Sequence, residues 1–220
     1  MKRTIFVLAV FLLLAGSVQA TTLTFEGMGK NAAIPSNWGS NIAADQTGIS
    51  VANEATPTVG LTWSASSGGT WEFYNDKEWT AAQMDGFTSG AKFDLLFTPA
   101  AGYAVQVQSF VFDDYAKYVG GSTFTWQVFK DSASGALINS GTNIIVADGQ
   151  DLLINTGMAS PYAGSVLLRL IGGTGKDGQD AALDSITFTD PLALSVPEPA
   201  TMLLLGTGLV GLAGFRRFKK

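Results

Sequence analysis

The central sequence predicts an all-β protein, an antiparallel β-sandwich of jelly-roll type. Three observations carry this. Short apolar or alternating runs recur between residues 23 and 188, as in Trp71/Phe73 against Glu72/Tyr74 and Val105/Val107 against Gln106/Gln108, and a period of two is the mark of a half-buried strand. Turn formers punctuate them, with Asp85-Gly86, Asp148-Gly149, Asp177-Gly178 and Gly-Gly pairs beginning at 68, 120 and 172. No stretch outside the two ends shows a sustained helical period, and no repeat of 20 to 50 residues points to a propeller or solenoid.

The chain opens on Lys2 and Arg3, an apolar run from Ile5 to Ala15, and Ser17-Val18-Gln19-Ala20 with small residues at the −3 and −1 positions. This order predicts a secretory signal peptide, residues 1–20, folded as a short helix and cut after Ala20 by signal peptidase. The predicted strands follow in the 21–190 domain: Leu23–Glu26, Gly60–Ser64, Thr70–Tyr74, Lys92–Phe97, Val105–Phe112, Thr123–Phe129, Asn143–Val146, Asp151–Ile154, Ser165–Leu170 and Leu183–Phe188. Residues 31–58, with Pro35 and Pro57 and little pattern, are expected to lie over the sandwich as loops. Residues 191–199 form a short extended linker, because proline disfavours both helix and central strand.

The 200–220 segment combines an apolar run, Ala200–Phe215, with Arg216, Arg217, Lys219 and Lys220. As a transmembrane helix this 16-residue run would span about 24 Å, against roughly 30 Å of hydrocarbon. It is a short span whose basic end would snorkel towards the headgroups. Positive charge at both ends predicts that both stay on the cytoplasmic side of the inner membrane, with the domain between them exported.

Charge and composition narrow the chemistry. Between residues 21 and 199 stand 7 Lys or Arg and 18 Asp or Glu, a net of −11 against −5 for the whole chain. That balance argues against nucleic acid and anionic lipid as partners of the domain. The chain holds no Cys and no His, so disulfides, thiol catalysis, Ser-His-Asp triads and the usual zinc sites are excluded. Stability must come from a hydrophobic core, for which about 175 residues suffice.

Carboxylate chemistry remains. Asp113-Asp114 and the group Glu72, Asp76, Glu78 are the candidates for glycoside hydrolysis, which needs two carboxyl groups at a suitable separation. Adjacent Asp113 and Asp114 would face opposite ways on a strand, and their place after an apolar run suggests the start of a turn. No catalytic residue is assigned, and the protein is expected not to be an enzyme. No cofactor is required; calcium is a candidate ligand of Asp177, Asp180 and Asp184 in the stretch from Gly172 to Asp184. The same Gly-Asp-Gly composition also marks an ordinary hairpin, and Lys176 opposes a cation. Of the five tryptophans, Trp38 and Trp79 sit in polar surroundings and are the candidates for an exposed sugar-stacking platform, the alternative being burial under loops.

The run Val196-Pro197-Glu198-Pro199, then the apolar stretch and Arg216-Arg217-Phe218-Lys219-Lys220, resembles the PEP-CTERM sorting signal. The resemblance implies an exosortase as partner at Pro197-Glu198-Pro199, transient anchoring in the inner membrane, and release to the cell surface or an exopolysaccharide-rich biofilm matrix. Two segments, Phe124–Ile138 and Leu183–Phe188, are similar to strands of galactose-binding-like jelly rolls. That likeness implies a carbohydrate-binding module recognising the exopolysaccharide as the alternative to a structural role.

Overall fold

The computed structural model describes residues 20–25, 32–39, 59–66, 68–76, 79–85, 87–114, 122–147, 150–173, 181–189 and 192–193. Among them every regular element is a strand. The predicted signal helix, Ala200–Phe215 and the Pro-rich motif lie outside the described residues.

Fourteen strands lie among the described residues, in order: β1 Ala20–Thr24, β2 Ala32–Ala33, β3 Val59–Ala65, β4 Thr70–Asp76, β5 Trp79–Asp85, β6 Lys92–Pro99, β7 Tyr103–Ala104, β8 Val107–Asp114, β9 Ser122–Lys130, β10 Leu137–Val146, β11 Gln150–Asn155, β12 Val166–Gly172, β13 Ala181–Thr189 and β14 Leu192–Ala193. A seven-stranded sheet has the order β11-β8-β13-β5-β4-β2, with β1 added to β13, and a five-stranded sheet has the order β10-β9-β12-β6-β3. Every described pairing is antiparallel. The chain repeatedly crosses between sheets, from β3 to β4, β5 to β6, β8 to β9 and β12 to β13, as the jelly-roll prediction requires.

Alternation fixes which face is buried. On β6, Phe93, Leu95 and Phe97 point inward while Lys92, Asp94 and Thr98 do not; on β4, Trp71 and Phe73 point inward and Glu72 outward. The inward rings form a continuous line through the core. Trp38 meets Trp63 at 5.7 Å, Trp63 meets Trp71 at 5.0 Å, Trp71 meets Phe93 at 5.2 Å, Phe93 meets Phe87 at 5.6 Å and Phe87 meets Phe112 at 5.9 Å. Phe112 of one sheet then stacks on Phe124 of the other, 3.9 Å apart and 4° from parallel.

Several predicted elements are extended or corrected. Thr123–Phe129 and its return strand form the β9–β10 hairpin, turning through residues 131–136. β10 begins at Leu137 rather than Asn143. It passes over Trp126 at Gly141, where a Cβ would come within 2.3 Å of the indole Nε1, so only glycine lets the strand continue. β5 occupies residues outside the predicted strands, which puts the Trp79 backbone in a strand opposite Asp76. Asp113 and Asp114 do not begin a turn. β8 runs through both, and Asp113 pairs with Asp151 and Ala182.

Candidate functional site

The chain enters and leaves the sandwich at one place. In the β1–β13 ladder Ala20 stands opposite Thr189 and Thr24 opposite Ser185. β1 is drawn in by its apolar positions, for Leu23 and the following Phe25 are each 1 % exposed. Each such burial contributes about 2 kcal/mol. Thr22 and Thr187 add an Oγ1–Oγ1 hydrogen bond of 3.1 Å across the pair. Thr21 is buried, whereas Ala20 is exposed.

The exit is tied down equally firmly. The Thr189 N–H donates to the Gln106 carbonyl at 2.8 Å, and the Gln106 N–H donates to Thr189 Oγ1 at 2.9 Å. Two residues follow before β14 pairs with β7, Leu192 opposite Ala104 and Ala193 opposite Tyr103. The chain is therefore held to the domain as far as Ala193. Beside this exit, Val105 bridges to Tyr162, whose hydroxyl donates to Asp131 at 2.9 Å. That hydrogen bond raises the Tyr162 phenol above its ordinary value, with burial adding to the effect. Lys130 Nζ lies 4.9 Å from the Tyr162 ring centroid.

A second group occupies the outer face of the seven-stranded sheet. Register places Asp151, Asp113, Ala182, Gln83 and Glu72 in one row across β11, β8, β13, β5 and β4. Burial raises the Glu72 carboxyl above its ordinary value, and the negative charge of Asp85 raises it further. Glu72 and Asp113 are three strand spacings apart, about 14 Å, beyond the roughly 9.5 Å limit for paired glycosidase carboxyls. Glu72 and Asp76 lie four residues apart along β4, about 13 Å by backbone rise. These pairs do not make the hydrolase site that the sequence left open; Glu78 lies outside the described residues.

The remaining candidates separate. Trp38 is half-buried, stacked on Phe25 at 5.7 Å and edge-on to Phe73 at 5.1 Å, and its carbonyl accepts the Trp63 Nε1–H at 2.8 Å. The aromatic core holds it, so its predicted exposure is only partial. Asp184 sits half-buried where the β13–β8 register shifts between Leu183 and Ser185. Asp177 and Asp180, like Pro197, Glu198, Pro199, Arg216, Arg217, Lys219 and Lys220, lie outside the described residues. Among the described residues no group of three or more acidic side chains could hold a metal. Sequence reasoning missed the meeting of the two ends at Ala20 and Thr189; the one available signal was the alternation of Leu23 and Phe25 directly after the predicted cleavage point.

Residues 195–217 match the PEP-CTERM protein-sorting motif. The match begins two residues after β14, so the sorting motif follows directly on the tied-down exit. No curated protein matches this chain. Among solved structures, the chain is similar to the CBM22-1 xylan-binding domain from Paenibacillus barcinonensis Xyn10C, at 14% identity over 74% of this chain and 98% of that one, with a TM-score of 0.38. A structure of infectious bursal disease virus Gx strain matches at 11% identity over 80% of this chain and 50% of that one, with a TM-score of 0.20.

Proposed function

We propose that this chain is an exported protein sorted by an exosortase, with a β-sandwich that serves without catalysis as a cell-surface or extracellular matrix component. The observation that carries the reading is the PEP-CTERM motif at residues 195–217, which begins two residues after the last described strand. Signal peptidase removes residues 1–20, the tail rests briefly in the inner membrane, and processing near Pro197-Glu198-Pro199 releases the domain. The setting is an exopolysaccharide or biofilm matrix. The excess acid of the domain keeps it soluble there and away from nucleic acid.

Fractionation and intact mass of the protein from its native host test this. The expected result is an extracellular wild type lacking about its last 20 residues, the length of an anchor segment, with the Pro197-Glu198-Pro199→Ala replacement retained in the membrane at full C-terminal length. If both keep Lys220 and stay membrane-bound, the tail is a permanent anchor and the sorting reading fails.

The second reading is specific carbohydrate binding. Exposed Asp151 and half-buried Glu72, at the two ends of a row whose middle members Asp113 and Gln83 are buried, support it, because carboxylates at a sheet surface suit sugar hydroxyls. Binding predicts a saturable shift of tryptophan fluorescence on adding the host exopolysaccharide. That shift should weaken in Glu72→Gln and, if Trp79 forms the stacking surface, in Trp79→Ala. A flat titration rejects it.

A further inference from the structure

We propose that the folded domain shields its own leader-cleavage bond, so that removal of residues 1–20 must precede the seating of β1 on β13. This rests on the reading of those residues as a signal peptide cut after Ala20. Both residues of that bond belong to the ladder, Ala20 opposite Thr189 and Thr21 opposite Phe188. Thr21 is 1 % exposed, and the chain just beyond it is fastened by the Thr22–Thr187 hydrogen bond and by the burial of Leu23 and Phe25. A peptidase that cuts at this bond must grip the backbone on both sides of it in extended form. It therefore competes with β13 for the same segment, as any added strand does at a sheet edge.

The order of synthesis then sets a window. β13 comprises residues 181–189, 165 positions after its partner across the Thr22–Thr187 bond. Until that strand has crossed the membrane, β1 has no ladder to join and its bond is open. Once β13 arrives, β1 docks and the bond closes. The tail leaves from the same corner, since β13 ends at Thr189, opposite Ala20, and β14 begins three positions later at Leu192. A chain that misses the window is held at neighbouring points by both its leader and its tail.

The test uses the full-length precursor in detergent micelles and purified signal peptidase, supplied either during cell-free synthesis or after folding. A second precursor carries Gly-Ser-Gly-Ser-Gly-Ser between Ala20 and Thr21. This leaves Thr21–Thr24 to pair with β13, removes only Ala20 from the ladder, and moves the bond after Ala20 about 20 Å away. Mass spectrometry reads the cut, and an unchanged melting temperature verifies that the inserted chain folds. Wild type should be cut after Ala20 during synthesis and at least tenfold more slowly after folding, while the inserted chain is cut in both arms. Equal cutting of wild type in both arms overturns the proposal. So does resistance of the folded inserted chain, because the ladder would then not be the shield. Wild type that is not cut after Ala20 even during synthesis removes the signal-peptide reading and the inference with it, while leaving the sorting motif untouched.

Discussion

On the outer face of the five-stranded sheet, Arg169 donates from Nε and Nη2 to the two carboxylate oxygens of Asp94, each at 2.7 Å, with both side chains largely buried. Leu167 beside them is covered and stands opposite Leu96 and Phe129. On the outer face of the seven-stranded sheet, Glu72 has Asp85 for an electrostatic neighbour, and its carboxyl is displaced upward by burial and by that charge. The first sheet answers its buried charge with a fork-to-fork partner. The second sets Glu72 near Asp85, and those like charges oppose one another. The difference lies in what each charge meets: Arg169 and Asp94 satisfy one another directly across two strands, whereas the Glu72 carboxyl is raised by burial and by a like charge.

The largest expected effect comes from cutting the link between the two sheets. Phe112→Ala removes the ring stacked on Phe124 and should lower unfolding stability by about 3–5 kcal/mol, read from urea midpoints at unchanged m-value. A loss below about 1 kcal/mol would mean that the sheets are stable independently and the comparison concerns two units rather than one core.

Next is the paired charge. Asp94→Ala leaves the Arg169 guanidinium without its partner and should cost about 1–3 kcal/mol, whereas Arg169→Met together with Asp94→Leu should come close to neutral. If the single and double variants lose equally, the pair is not what satisfies that face.

A smaller effect, of opposite sign, is expected at Glu72. Its folded pKa lies above the unfolded value of 4.5, so the folded state binds the proton more tightly. Ionised Glu72 therefore destabilises the fold at neutral pH, and the penalty disappears as pH falls through the folded pKa to below 4.5. Glu72→Gln should raise stability at pH 7 by ~0.5 kcal/mol or less, with the gain shrinking on acidification. A gain that is constant with pH would contradict the electrostatic account.

The smallest effect is spectroscopic. Asp131→Ala should return the Tyr162 phenol titration towards 10.0, seen in the ultraviolet absorbance of the tyrosinate. An unmoved midpoint would show that Asp131 does not set it.

Much of the sandwich was legible because its strands alternate plainly. Trp71-Glu72-Phe73-Tyr74 and Lys92-Phe93-Asp94-Leu95 declare their inner faces without help. β5 was hidden because Ala81, Ala82, Gln83 and Met84 have little strand propensity; their almost complete burial in the centre of a sheet overrides it. β10 was read short because its register shifts between Leu137 and Asn139 and between Gly141 and Ile144, which breaks the period of two. The polar run Ser36-Asn37-Trp38-Gly39-Ser40 makes Trp38 a candidate for exposure, with burial under loops as the alternative. Local polarity says nothing of Phe25, Trp63 and Phe73, which come from elsewhere in the chain to enclose it.

The sequence by itself determined the all-β class, the excluded chemistries and the sorting motif at the C-terminal end, because each depends on residue type or short-range order. Only the tertiary structure decided that Glu72 and Asp113 stand too far apart to act together, that Arg169 meets Asp94, and that the chain enters beside the point where it leaves. Those relations join residues up to 165 positions apart. The physical reason is that strand order and register are chosen by the summed burial of two whole sheet faces, which no local pattern encodes.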